Sequence, residues 1–163
     1  MWSAMRIGLI SDTHDNVPAI EKAVGFFSAE AVDLVLHAGD YVSPFSFKPF
    51  LDLPCEIIGV WGNNDGDKIA LDRVSQGRIK TSPSVETYAG KKILLGHHFE
   101  TLDALVSSQD YYLIVYGHTH RPEIRREGKT LVVNPGECGG WLYGKSTVAV
   151  VDLEDQRADI IEL

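Results

Sequence analysis

The stretch Ile7-Gly8-Leu9-Ile10-Ser11-Asp12-Thr13-His14 runs an apolar segment directly into an Asp-x-His. Alternate side chains of a strand point the same way, so a strand ending here can aim the Asp12 carboxylate and the His14 imidazole at one point. Taken alone, the motif is no more than a charged turn after a strand. Its weight comes from recurrence, because an apolar run stopped by Gly and followed by ligand-type residues returns four more times. Asp33–Ala38 leads into Gly39-Asp40, Glu56–Trp61 into Gly62-Asn63-Asn64-Asp65, Lys91–Leu95 into Gly96-His97-His98, and Leu113–Tyr116 into Gly117-His118-Thr119-His120.

The segments between these runs fix the topology. Asn16 reads as an N-cap, with Pro18 in the first turn and Val17, Ile20, Val24 and Phe27 at helical spacing, which predicts a helix over about 17–30. Strand, helix and strand within about thirty residues make a βαβ unit. Pro44–Phe50, with Phe45, Phe47 and Phe50 spaced for one helical face, predicts a short aromatic helix or ordered loop whose simplest role is core packing. A brief helix is expected over Asp67–Ser75. The second half turns to hairpins. Ser84–Tyr88 and Lys91–Leu95 flank Ala89-Gly90, another turn falls at Glu127-Gly128, and Ser146–Leu153 pairs with Arg157–Leu163. Thr101 is placed to cap a helix carrying Leu102, Leu105 and Val106. Asn134–Gly140 reads as an irregular, turn-rich loop. Two mixed sheets packed face to face with helices on their outer sides accommodate both halves, and in such open α/β sheets ligands bind at the carboxyl ends of the strands.

Composition narrows the function classes. A chain of 163 residues, 44% hydrophobic, suits one domain over 1–163, with Met5 as an alternative start and residues 1–4 an extension. No apolar stretch approaches the ~18 residues of a membrane span, so a cytoplasmic protein without a membrane partner is expected. A net charge of −8 opposes non-specific binding to nucleic acid. The local basic group Arg121, Arg125, Arg126 and Lys129 reads as a solvated hairpin face. Cys55 and Cys138 fit no zinc pattern and read as reduced thiols. A homo-oligomer is compatible with the sequence, which does not specify one.

Collected, the strand-end residues are Asp12, His14, Asp40, Asn63, His97, His118 and His120. Imidazoles mixed with carboxylates suit divalent transition metals, whereas an all-oxygen set suits magnesium or calcium. Seven ligands exceed one tetrahedral ion and match two ions ~3.5–4 Å apart sharing a carboxylate, an arrangement used for phosphoester hydrolysis. Two divalent ions against Asp12, Asp40 and a bridging hydroxide leave a charge of about +1 to hold a phosphodiester anion. Bound water with its pKa lowered to about 7 supplies that hydroxide for in-line attack on phosphorus. Manganese is the first expectation for the two ions, with nickel, iron, cobalt or zinc permitted.

The succession Asp12-x-His14, Gly39-Asp40, Gly62-Asn63-Asn64-Asp65, Gly96-His97 and Gly117-His118-x-His120 resembles the calcineurin-like metallophosphoesterase superfamily. The resemblance runs from residue 6 to about 140 and includes the Asn134-Pro135-Gly136 loop of its small bacterial and archaeal phosphodiesterases. It implies a four-layer αββα sandwich and a dinuclear site. By analogy, Asp12, His14, Asp40 and His120 hold one metal, and Asp40, Asn63, His97 and His118 the other, with Asp40 bridging. The implied activity is hydrolysis of a small phosphodiester. The same fold also serves as a non-catalytic metal-binding scaffold for protein partners, and that is the alternative reading. A nuclease is disfavoured by the acidic chain, and a (β/α)₈ amidohydrolase by its need for about 250 residues.

Two departures from the family pattern bear on chemistry. Many members read Gly-Asn-His-Asp, and that His is assigned to the leaving group; Asn64 stands in its place and cannot donate a proton. Good leaving groups, such as those of aryl diesters, are therefore expected to be favoured. At Leu95-Gly96-His97-His98, close relatives often have His-Gly-His. His97 is assigned as the ligand because it directly follows the strand, with His98 as the alternative ligand, a substrate-facing residue, or a replacement for the missing acid. His37, inside its strand, reads as a buried histidine rather than a ligand. Asp65 is either an orienting partner of a ligand or a turn residue, and Trp141 and Tyr143 either line the cleft or lie at an edge.

Overall fold

The computed structural model describes residues 5–163; the expected extension at 1–4 lies outside them. In chain order the elements are β1 (Arg6–Ile10), α1 (Val17–Ala29), β2 (Leu34–His37), α2 (Pro44–Phe47), a 3₁₀ turn (Lys48–Asp52), β3 (Glu56–Val60), α3 (Lys68–Ser75) and β4 (Ile79–Lys80). They continue as β5 (Ser84–Tyr88), β6 (Lys91–Leu95), α4 (Leu102–Ser108), β7 (Leu113–Val115), β8 (Pro122–Glu127), β9 (Thr130–Pro135), β10 (Thr147–Asp152) and β11 (Arg157–Glu162). One mixed sheet has the order β11-β10-β1-β2-β3-β4 and the other β5-β6-β7-β9-β8. In the first, β1 through β4 are parallel and the C-terminal hairpin adds antiparallel to the free edge of β1. In the second, β6, β7 and β9 are parallel.

Three apolar clusters are the three interfaces of a four-layer sandwich. Between the sheets lie Ile7, Leu9, Leu34, Leu36, Ile58 and Val60 from one side, facing Ile93, Leu95, Leu113, Val115, Leu131 and Val133 from the other. Strand alternation sends Ile10, Val35 and Ile57 to the outer face, against Ile20, Ala23 and Phe27 of α1 and Leu71 of α3. Leu94, Ile114 and Val132 do the same in the second sheet, where Val106 of α4 covers them. The central strands are therefore buried on both faces, which explains their near-continuous apolar runs, while the edge strands β5, β8 and β11 largely alternate between half-buried and exposed residues.

Several local expectations are corrected. Phe47 and Phe50 are buried but Phe45 is 53% exposed, because the segment is one α-turn followed by a 3₁₀ turn and its three rings do not share a face. Asn134 and Pro135 belong to β9 and pair with Glu123 and Pro122; only Gly136 onward is irregular. Thr101 occupies the N-cap position of α4 without a side-chain capping bond. The two-residue β4 had no signal in the sequence. The basic hairpin residues behave as a solvated face, with Arg125 paired to Asp103, Glu123 and Glu127.

His37, at the end of β2, is fully buried. Its Nδ1 accepts the Gly39 N–H at 3.1 Å, which puts the ring proton on Nε2 facing Thr13 Oγ1 at 3.3 Å; the Thr13 hydroxyl in turn donates to the Asp40 carbonyl at 3.3 Å. The ring stacks on Tyr41 at 3.8 Å and meets the edge of Phe50. Burial pushes its pKa from 6.5 down to about 3, so it is neutral in the fold. The unfolded chain protonates His37 below pH 6.5 and the folded one does not, so its contribution is complete above pH 6.5 and is lost as pH falls toward 3. Denaturant unfolding between pH 6 and 4 should show wild type losing stability more steeply than H37Q, by up to about 1.4 kcal/mol per pH unit. Parallel slopes would contradict the buried neutral ring.

Candidate metal centre

The strand ends converge because the backbone bends sharply as each strand stops. Asp12, His14, Asp40, His118 and His120 all have positive φ, between 40° and 66°, a conformation costing on the order of 1 kcal/mol for a residue with a side chain. Backbone bonds hold these turns in register: Asp12 N–H donates to Gly39 O, His14 N–H to Asp40 O, and Gly139 N–H to Asp12 O. Asp65 grips the next loop, its carboxylate accepting from the N–H groups of Asp40, Tyr41, Val42 and Gly62 at 2.6–3.2 Å. It is thus the orienting residue of the two readings open for it. Two glycines give the carboxylates room. A Cβ on Gly62 would stand 2.1 Å from Asp40 Oδ1, and one on Gly117 2.6 Å from Asp12 Oδ2.

All seven sequence-selected ligand candidates gather in this space. His14 Nε2 lies 3.3 Å from Asp40 Oδ2 and 3.7 Å from Asp12 Oδ1, and His120 Nε2 lies 3.3 Å from Asp12 Oδ1. On the other side His97 Nε2 lies 3.4 Å from Asp40 Oδ2 and 2.8 Å from Asn63 Oδ1, and His118 Nδ1 lies 3.0 Å from Asn63 Oδ1. Donor atoms of Asp12, His14 and His120 form one group within 4.8 Å of one another, and those of Asp12, Asp40 and His97 a second. His98 points outward and is exposed, its ring 4.5 Å from that of His118. Asn64 faces inward: its N–H and Nδ2 donate to the two oxygens of Asp40, each at 2.8 Å.

Whether these residues suit a metal can be judged from their free lone pairs. His97 donates Nδ1–H to Ala38 O at 2.7 Å, and His120 donates Nδ1–H to Glu137 at 2.8 Å. In both rings the neutral form with its proton on Nδ1 leaves Nε2 free to face the cluster, and a carbonyl or carboxylate holding the other ring nitrogen is how metal-binding histidines are oriented. Asp12 Oδ2 accepts from Ser11 Oγ and His118 N–H, while Asp12 Oδ1 and His14 Nε2 are buried without any hydrogen-bond partner. Buried orphans of this kind are rare, and the two face the same space. Imidazole nitrogen with carboxylate oxygen suits divalent metal ions.

The electrostatics agree. Burial alone would raise the Asp40 carboxyl, but the adjacent His97 and the two hydrogen bonds from Asn64 hold it well below the usual carboxylate range. Asp12 is lowered in the same way, burial being outweighed by His14, Ser11 and the fields of His97 and His120. Contact with Asp12 raises His14 against the effect of burial. Burial and the neighbouring His97 lower His118.

Residues 5–156 match the calcineurin-like phosphoesterase superfamily domain. The chain belongs to that superfamily. It is 40% identical over 159 residues to a phosphodiesterase of Methanocaldococcus jannaschii, covering 94% of this chain and 96% of the relative. It is 27% identical to the Escherichia coli phosphodiesterase YfcE over 93% of this chain and 94% of that one. A solved archaeal phosphodiesterase superposes with a TM-score of 0.90 at 36% identity, covering 98% of this chain and all of the other. As a superfamily member with this donor set, the chain is a phosphoesterase with a site suited to divalent metal. No helix among the described residues is long and apolar enough to cross a membrane.

Sequence reading missed Glu137. Buried to 1% exposure, it accepts from His120 and from the N–H groups of Trp141, Leu142 and Tyr143. Burial works to raise its pKa, but His120 and these amides bring it below the usual value. Replacing it by Gln removes the charge that makes His120 a stronger donor and disturbs the loop amides. E137Q should bind manganese about 10–100-fold more weakly in a calorimetric titration of the metal-free protein; unchanged affinity would contradict its orienting role.

Proposed function

We propose that the chain is a metal-dependent phosphodiesterase using two divalent transition-metal ions, manganese first among them. Asp12, His14, Asp40 and His120 would hold one ion, and Asp40, Asn63, His97 and His118 the other. The single observation that carries this reading is the position of Asp40 Oδ2, 3.3 Å from His14 Nε2 and 3.4 Å from His97 Nε2, so that one oxygen is within reach of both groups. When bound, the ions supply positive charge for the phosphate and lower the pKa of water enough for attack at neutral pH.

The chain's own residues define the rest. Asp12 and Asp40 stay ionised and give the site its fixed negative charge. Asn63 and His118 lie at its solvent side, where a phosphodiester enters. Asn64 cannot supply a proton, and its amide is engaged with Asp40. His98 stands outside the cluster, its exposed ring 4.5 Å from that of His118. A leaving group therefore departs largely unprotonated, which favours aryl over alkyl esters. The orphaned Asp12 Oδ1 and His14 Nε2 favour a metal-loaded site over one whose metal site has decayed. The acidic chain supports a small phosphodiester rather than nucleic acid as substrate, and reduced Cys55 and Cys138 fit a cytoplasmic setting.

A metal-reconstituted screen of phosphomonoesters and phosphodiesters, with D40A as the blank, tests the reading. Aryl diesters should be hydrolysed best and D40A should lose more than about a hundredfold, well beyond an outer-shell change. In the same screen N64H should gain about tenfold or more on alkyl diesters, within the range of general acid catalysis. Equal activity in D40A, or no gain from N64H, would contradict the respective claim.

A further inference from the structure

Beside the ligand cluster opens a cleft of about 450 Å³, to which His14 and His120 contribute directly. Its remaining wall is unusual for a site that binds an anion. Val42, Trp141 and Leu142 line it with apolar surface, and Asn64 and Asp15 supply its other polar groups. None of these lining residues is a lysine or arginine. Asp15 is already committed, its carboxylate accepting from Ser43 N–H and Oγ. The nearby Arg121 is turned away to Tyr143, donating Nε–H to its hydroxyl at 3.0 Å.

Trp141 is 64% exposed and Leu142 66% exposed, yet both are held. Trp141 N–H and Leu142 N–H bind Glu137, and the Trp141 indole Nε1–H donates to His14 O at 3.1 Å. The pyrrole edge of the indole is therefore docked on the backbone of a ligand residue, while most of the ring faces solvent beside the cleft. A large aromatic surface, fixed and unburied, adds little to the fold and is available to a ligand. Fixing it beforehand removes most of the ordering cost of binding.

Resting on the phosphodiesterase reading, we propose that Trp141, with Leu142 and Val42, forms a subsite that selects the ester arm of the substrate and takes a flat, uncharged aromatic or heteroaromatic group. The phosphate would sit at the ligand cluster and the ring against the indole. The dimensions allow it, since an apolar cavity of about 150 Å³ already accommodates benzene. The absence of a lining cation disfavours an arm carrying a second phosphate, whose charge would have no partner there.

The test is equilibrium binding to the manganese-loaded protein, with diphenylphosphinate and dimethylphosphinate as probes: both keep the anionic PO₂ group, neither has a P–O ester bond to hydrolyse, and they differ only in their arms. Wild type should bind diphenylphosphinate about tenfold more tightly than dimethylphosphinate, the ratio that 1.4 kcal/mol gives. W141A should reduce the ratio to near one, and W141F, which keeps a flat ring, should recover much of it. Equal binding of the two probes by wild type, or a ratio unchanged in W141A, would overturn the subsite. Failure of wild type to bind either probe would instead count against the phosphodiesterase reading on which it rests. Trp141 lies on the surface, so its variants keep the core intact, and circular dichroism verifies this before titration.

Discussion

Asp12 and Asp40 bring two ionised carboxylates to within 4.8 Å of each other at 0% and 1% exposure. Like charges at that separation repel by on the order of 3 kcal/mol at an effective dielectric of about 20. Among the described residues the ion-pair partners of Asp40 are two imidazoles, His14 and His97, with no lysine or arginine. The fold meets this cost with aimed dipoles: the Asn64 amide groups on Asp40, and Ser11 and the His118 N–H on Asp12. The bent strand ends, Gly62 and Gly117, and the Asp65 clamp bring those dipoles into place. What they leave unmatched, Asp12 Oδ1 and His14 Nε2, marks where a cation belongs.

The two shells of the site have different origins in the chain. The candidate ligand atoms come from the bends that follow β1, β2, β3, β6 and β7, so their placement follows largely from sheet register. Their orientation comes from groups distant in sequence, such as Ala38 for His97 and Glu137 for His120. Glu137 has a second consequence, because the same carboxylate carries the amides of the 141–143 segment. Glu137 therefore ties the His120 ring to the wall of the cleft. The candidate metal centre and the cleft beside it share one anchor.

This division explains what could be read from the sequence. Apolar runs ending in Gly and a ligand-type residue are local patterns, so β1, β2, β3, β6, β7 and all seven converging residues were legible before any coordinates. His97, favoured over His98 in the sequence because it comes first after the strand, is the one whose ring faces Asp40 and Asn63. Glu137 was illegible: its partner His120 is 17 residues away, and a glutamate in a glycine-rich loop resembles a solvated turn. Phe45 was misread because helical spacing assumes one continuous helix, and the chain tightens to a 3₁₀ turn after Phe47. β4, with two residues, is too short to show any period. Asn64 stood out in the sequence as a departure from the family pattern, but its contact with Asp40 required the folded loop.

The central claim is that one carboxylate joins two metal positions. Anomalous diffraction from manganese-loaded crystals measures it most directly. Two anomalous peaks per chain are expected on either side of Asp40 Oδ2, one among Asp12, His14 and His120 and the other among Asn63, His97 and His118. A single peak at full loading, or two peaks not sharing Asp40, would contradict it.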